Sequence, residues 1–245
     1  MEKQYKKVIF FLAIIYAFLP IYTASASQDL TKNEQFFFDL INMTREKPLD
    51  VVEAFGMDKK KVLEDNPKLR KILKDGLPPL LINNKLQKAS AKHSLDMLEN
   101  SYLSHESLDG RTVQDRIEES GYDALICAER LNMTTFRNFI PSETALLNMF
   151  ESMFKDELDP TFAGDRCILN PWFKEAGVGL ASGKFDIQGK SRNAYIINVD
   201  FALSALYKIE RQLFRLFNGF RANPLVTMQQ VDISEDKAKE IANQN

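Results

Sequence analysis

Histidine is scarce here: among 245 residues only His93 and His105 carry an imidazole. An imidazole serves as a general base or as a metal ligand, so these two positions bound the chemistry. His93 falls within a run where Leu86, Ala89 and Met97 recur at helical spacing. That is the setting of a hydrogen-bonded core histidine rather than of a ligand. His105 lies in a polar stretch, Ser104-His105-Glu106-Ser107. Ser104 or Ser107 with His105 and Glu129 would supply the residue types of a Ser–His–acid assembly. Sequence neighbours seldom reach that geometry, because the base must touch the nucleophile while a third group orients the base. The chain has no GxSxG, HExxH or Walker sequence.

Two cysteines complete the reactive set, Cys127 and Cys167. In an exported chain a single disulfide between them is one reading. Two inert buried thiols and a pair of metal ligands are the others.

The elements that must position these residues are legible around His105. Asn83 and Asn84 are good helix caps in front of the run that begins at Lys85. That helix gives out at Asn100-Ser101, and Asp109-Gly110 reads as a turn. Thr112 with Asp115 is a capping-box variant opening a second helix, which carries Val113 and Ile117 inward and ends at Gly121. Upstream, Asn33–Pro48 reads as a helix with Phe37, Leu40 and Ile41 on one face. Residues 49–76 form a charged insert of one or two short helices. Downstream, Ser142–Phe154 reads as a helix capped by Ser142. Val178–Lys184 and Tyr195–Phe201 read as two central antiparallel strands joined by a glycine-containing turn.

The run Leu77–Tyr122 resembles the bacterial branch of the CAP superfamily (SCP domains). The matches are Leu77-Pro78-Pro79-Leu80, His93-Ser94, Asp96-Met97, Ser104-His105, Asp109-Gly110-Arg111-Thr112, Arg116-Ile117 and Gly121-Tyr122, in order and without a gap. Ile168-Leu169-Asn170-Pro171 and Gly177-Val178-Gly179 continue the likeness, over residues 33–203. The resemblance implies an α/β fold, a three-layer α-β-α sandwich with a central antiparallel sheet. It also implies a cleft with two histidines and two acids, able to hold a divalent metal such as zinc or calcium. Carried over, the first histidine is His105 and the first acid Glu129, with Glu151 near the second acid. The second histidine falls on Gly164 or Asp165, so no imidazole is available there. His105 and Glu129 would then hold a metal only weakly, and the cleft set His105, Glu129, Glu151 and Asp165 reads as degenerate.

The N-terminus has the layout of a secretory signal over residues 1–26. Lys3, Lys6 and Lys7 precede the apolar run Val8–Leu19, and Ala24-Ser25-Ala26 offers a cleavage site. The run is short for a membrane span. With a formal charge of −2 and no basic cluster in the sequence, nucleic acid is excluded as an expected partner.

Residues 204–245 carry a repeat. Offset by 176 positions, Glu34, Phe38, Leu40, Asn42, Arg45, Pro48 and Leu49 recur as Glu210, Phe214, Leu216, Asn218, Arg221, Pro224 and Leu225. The tail thus resembles the opening helix of a second, incomplete CAP-like unit. The expectation is a secreted, periplasmic or cell-surface protein that binds a lipid, a cell-wall component or an extracellular protein. A metal-assisted or serine-type hydrolase and a structural remnant are the alternatives.

Overall fold

The structure is a computed structural model and describes residues 30–162 and 164–206. By their contacts, residues up to Leu203 form one unit and Ser204–Asn245 a second. The fold below is that of the first. The signal-like segment 1–26 and the repeat from Glu210 to Leu225 lie outside the described residues.

Helix α1 spans Lys32–Glu46 and opens on a full capping box, Thr31 with Glu34. Phe37, Phe38, Leu40 and Ile41 are buried along it. The charged insert folds as three short helices rather than one or two: α2 (Pro48–Ala54), α3 (Lys59–Asp65) and α4 (Arg70–Asp75). Pro48 starts α2 at a position where its missing N–H costs nothing. The two-residue strand β1 (Leu81–Ile82) leads into α5 (Asn84–Glu99), capped by the Asn83 side chain on the Lys85 amide. Helix α6 (Val113–Glu119) carries the Thr112–Asp115 capping box, and Gly121 follows it at φ 86°. Strand β2 spans Ala124–Phe136 and helix α7 spans Ser142–Leu158. Ser142 opens that helix but does not cap it; its hydroxyl turns to Asn33 and Glu143.

Strands β3 (Glu175–Ile187) and β4 (Lys190–Ser204) make a long antiparallel hairpin through a two-residue turn, Gln188-Gly189, with positive φ at both positions. Both strands overrun the sequence-based spans. The strand order is β1-β3-β4-β2, with β1 parallel to β3 and the hairpin strands in the middle.

Alternation along the hairpin assigns the layers. Val178, Ile197, Val199 and Phe201 join Phe37, Ile41, Phe150 and Phe154 in one core, which places α1 and α7 on that face. On the other face Met97 packs with Ala181, Phe185 and Ile196, and Leu86 and Ile117 pack with Ala202. Helix α5 lies almost on the backbone of β3. A Cβ added at Gly177 would stand 2.1 Å from the Leu86 carbonyl carbon, and one at Gly179 2.3 Å from that of Ser90. The product is helix on sheet on helix.

Two buried polar side chains fix the segment between α7 and β3. Arg45 donates to the carbonyls of Pro78, Ile168, Asn170 and Phe173 at 2.8–3.4 Å. Glu157 accepts from the amides of Cys167, Ile168 and Leu169 at 2.7–2.9 Å. Backbone groups with no ladder partner are thereby satisfied inside the core.

The expected disulfide is not formed, and both cysteines are free thiols. Cys127 packs with the core beneath α5 and α6, whereas Cys167 is buried in the core beneath α1 and α7. The sheet stands between them, and the two thiols face different cores.

Candidate functional site

The face of α5 that meets the sheet is not uniformly apolar. Ser90, His93 and Ser94 are buried among Leu86, Ala89 and Met97. Opposite them the sheet presents Asn198 and Asp200 from β4 and Glu129 from β2, also buried. A polar layer therefore runs through this side of the sandwich.

His93 acts through its Nε2, 3.0 Å from the Ser104 carbonyl. A carbonyl only accepts, so that nitrogen carries the proton. Burial, first of all, pushes the His93 pKa below the usual value, against the pull of the nearby Glu129 charge. The ring is neutral and ties down the start of the loop that carries His105. The core-histidine expectation describes its Nε2; its Nδ1 has no protein partner.

His105 is the outer member of the site, with its side chain 63% exposed, and its Nδ1 lies 2.7 Å from Glu129 Oε1. The Glu129 side chain is fully buried and receives Arg116 Nη2 on its other oxygen at 2.7 Å. Burial raises the Glu129 carboxyl, but the His105 hydrogen bond and the Arg116 charge outweigh it and hold the group below the usual carboxylate range. Arg116 is itself fixed by Ser107 Oγ and the Arg111 carbonyl, each at 3.1 Å.

Asp200 stands behind Glu129. Its Oδ2 is 2.8 Å from Ser90 Oγ, which also lies 3.0 Å from the Gly177 carbonyl. Complete burial, and then the Glu129 charge, push its pKa well above the usual carboxylate range. Two like charges that feel each other at such a depth cannot both persist, so Asp200 keeps its proton while Glu129 stays ionised.

The other residues expected in the cleft are elsewhere. Glu151 sits on α7, across the sheet from α5, and pairs with Lys155 at 2.7 Å. Asp165 is exposed in the segment after α7, where its carbonyl faces Cys167 Sγ. Three partners of Glu129 escaped the sequence reading: Arg116, Asp200 and, through Asp200, Ser90. Asp200 did leave one signal, a lone acid within the apolar strand run Tyr195–Phe201.

The fit to a divalent metal follows from the donors. Glu129 spends one oxygen on His105 and the other on a guanidinium. Among the described residues no three His, Cys, Asp or Glu side chains gather in a way that could hold an ion. A cation beside Glu129 would meet the Arg116 charge at contact distance, so the residues present do not fit a metal.

The chain is similar to an extracellular protein containing an SCP domain from Bacillus anthracis, at 19% identity and a TM-score of 0.37, over 72% of this chain and 45% of that one. This chain thus spans less than half of that protein's length. It is also similar to an outer surface protein of Borrelia burgdorferi, at 14% identity and a TM-score of 0.38, over 74% of this chain and 99% of the other. No curated protein matches it. The model of the cysteine-rich secretory protein family, CAP, matches residues 38–190, a span that holds His93, His105, Arg116 and Glu129, and the chain belongs to that family.

Proposed function

We propose that this protein is an exported CAP-domain binding module with no catalytic role, whose ligand is a lipid, a cell-wall fragment or an extracellular protein. One observation carries the reading: Arg116 occupies the Glu129 oxygen at which an open coordination position would be needed. The serines beside His105 support it as well. Ser107 Oγ accepts from Arg116, Ser104 Oγ accepts from the Glu106 amide, and the hydrogen bond of the His105 ring runs to Glu129 and to neither hydroxyl. What remains outward is an exposed ring on a rigid, charge-neutralised base. Export is inferred from the basic, apolar and small-residue order of residues 1–26. Among the described residues, no helix is long and apolar enough to cross a membrane.

The test is a thermal melting scan of the purified chain against lipids, muropeptides and candidate proteins, with and without chelator. A ligand-dependent rise in Tm that survives chelator supports a binding module. Cleavage of peptide or cell wall that is abolished in His105→Ala would instead establish the hydrolase reading and defeat this one.

A further inference from the structure

Lys88 and Lys92 stand one turn apart on the exposed side of α5. Like charges at that spacing weaken a helix. Other helical lysines in this chain meet an acid four residues on, as in Lys60–Glu64, Lys61–Asp65 and Lys71–Asp75. The acid one turn beyond Lys92 is Asp96, and it is taken by Asn100 and Tyr102. Both lysines border a cavity of about 110 Å³ between α5 and α6, whose other walls include Ala89, Arg111, Arg116 and Glu119.

The charges around this cavity do not cancel evenly. Arg111 is held between Asp109 and Glu119. Arg116 is committed to Glu129. Lys88 and Lys92 have no ion-pair partner among the described residues, and even against the extra carboxylate on Arg111 the surplus is positive, beside a hollow several times the ~30 Å³ that one water takes in the liquid. A metal ion is repelled from such a place, and an apolar group would have to strip water from both lysines.

We propose that this cavity binds a phosphate group, a phosphate ester or the free ion, held by Lys88 and Lys92 with the Arg116 guanidinium at its inner wall. Ammonium groups act as point charges on phosphate oxygens, and two of them can engage one tetrahedral anion together. The pocket gives the binding reading a ligand class and rests on it to that extent. Because Arg116 also holds Glu129, an anion seated against it is linked to His105 through two intervening side chains.

Calorimetric titration of the purified full chain with inorganic phosphate tests the site, alongside flotation with phosphatidylcholine vesicles with and without phosphatidic acid. The expected result is phosphate binding that weakens as salt rises and falls about tenfold or more in Lys88→Gln/Lys92→Gln. Both positions are exposed, so the double variant should fold. Flotation that needs both phosphatidic acid and the two lysines would identify a lipid headgroup as the source, and phosphate binding without flotation a soluble phosphate. Binding unchanged in the double variant, or neither heat nor flotation with the native chain, overturns the proposal. A Tm rise with muropeptide or neutral lipid that persists in the double variant would remove this pocket and leave the binding reading standing.

Discussion

Arg116 and Glu129 meet at 2.7 Å with both side chains almost wholly out of solvent, and His105 meets the same carboxylate from the surface side. A buried carboxylate is costly unless it is paired. Here a guanidinium supplies the positive charge and an imidazole caps the remaining oxygen. The site is a closed ion pair with one exposed ring.

Removing the guanidinium should therefore be expensive. Arg116→Ala leaves Glu129 buried and unpaired, and a loss of about 3–5 kcal/mol is expected in urea unfolding. Adding Glu129→Gln to that variant should restore part of the loss, since the uncompensated charge is then gone. Full additivity of the two substitutions would show that the pair is not coupled.

Asp200 sets a pH dependence of definite sign. Its folded pKa lies well above the unfolded value, so between the two the folded state holds the extra proton and stability falls as pH rises. The unfolded value is about 3.9, and the decline starts near there. Asp200→Asn keeps a donor toward Glu129 and cannot ionise. Its stability should fall less steeply than that of the native chain from about pH 4 upward. Parallel curves for the two proteins would mean that Asp200 does not hold that proton.

The clamp on the 167–173 segment has its own reporter. Trp172, the one tryptophan in the chain, sits between residues held by Arg45 and Glu157. Arg45→Ala strands several carbonyls and opens a void, so a loss above about 3 kcal/mol is expected. Its Trp172 emission should shift in the folded state as well, because the segment loses its anchors. A native-like spectrum together with native-like stability would contradict the clamp.

Cys167 should titrate with a thiol reagent only as the protein opens, and the half-buried Cys127 before it. Burial pushes each of them up, and Cys167 has no exposed surface. The Tm should be the same with and without reductant. A drop on reduction would mean that a disulfide exists.

How much of this could be read from the residues depends on range. The Asn83 cap, the Thr112–Asp115 box and the Gly121 stop are local hydrogen-bond signals, and the structure has all three where the residues put them. The hairpin was visible in its alternation but not to its ends, because Lys190–Asn193 is too polar to announce a strand. The 13-residue strand β2 was missed outright. It is the last in the sheet order, and its mixed burial gives no clean two-residue period. The site was half legible. The likeness to the family brought out His105 and Glu129, and it included Arg116 only as a motif position with no role, while Asp200 is 71 positions from the carboxylate whose charge it feels. The cysteines mislead for the same reason: two in a chain with a signal-like start suggest a bond, and only the third dimension shows the sheet between them.

Thermal melting of the purified chain with added zinc bears most directly on the claim that a guanidinium stands where a cation would have to be. The account predicts an unchanged Tm across the titration, and the same Tm in chelator. A zinc-dependent rise that chelator reverses and His105→Ala abolishes would contradict it.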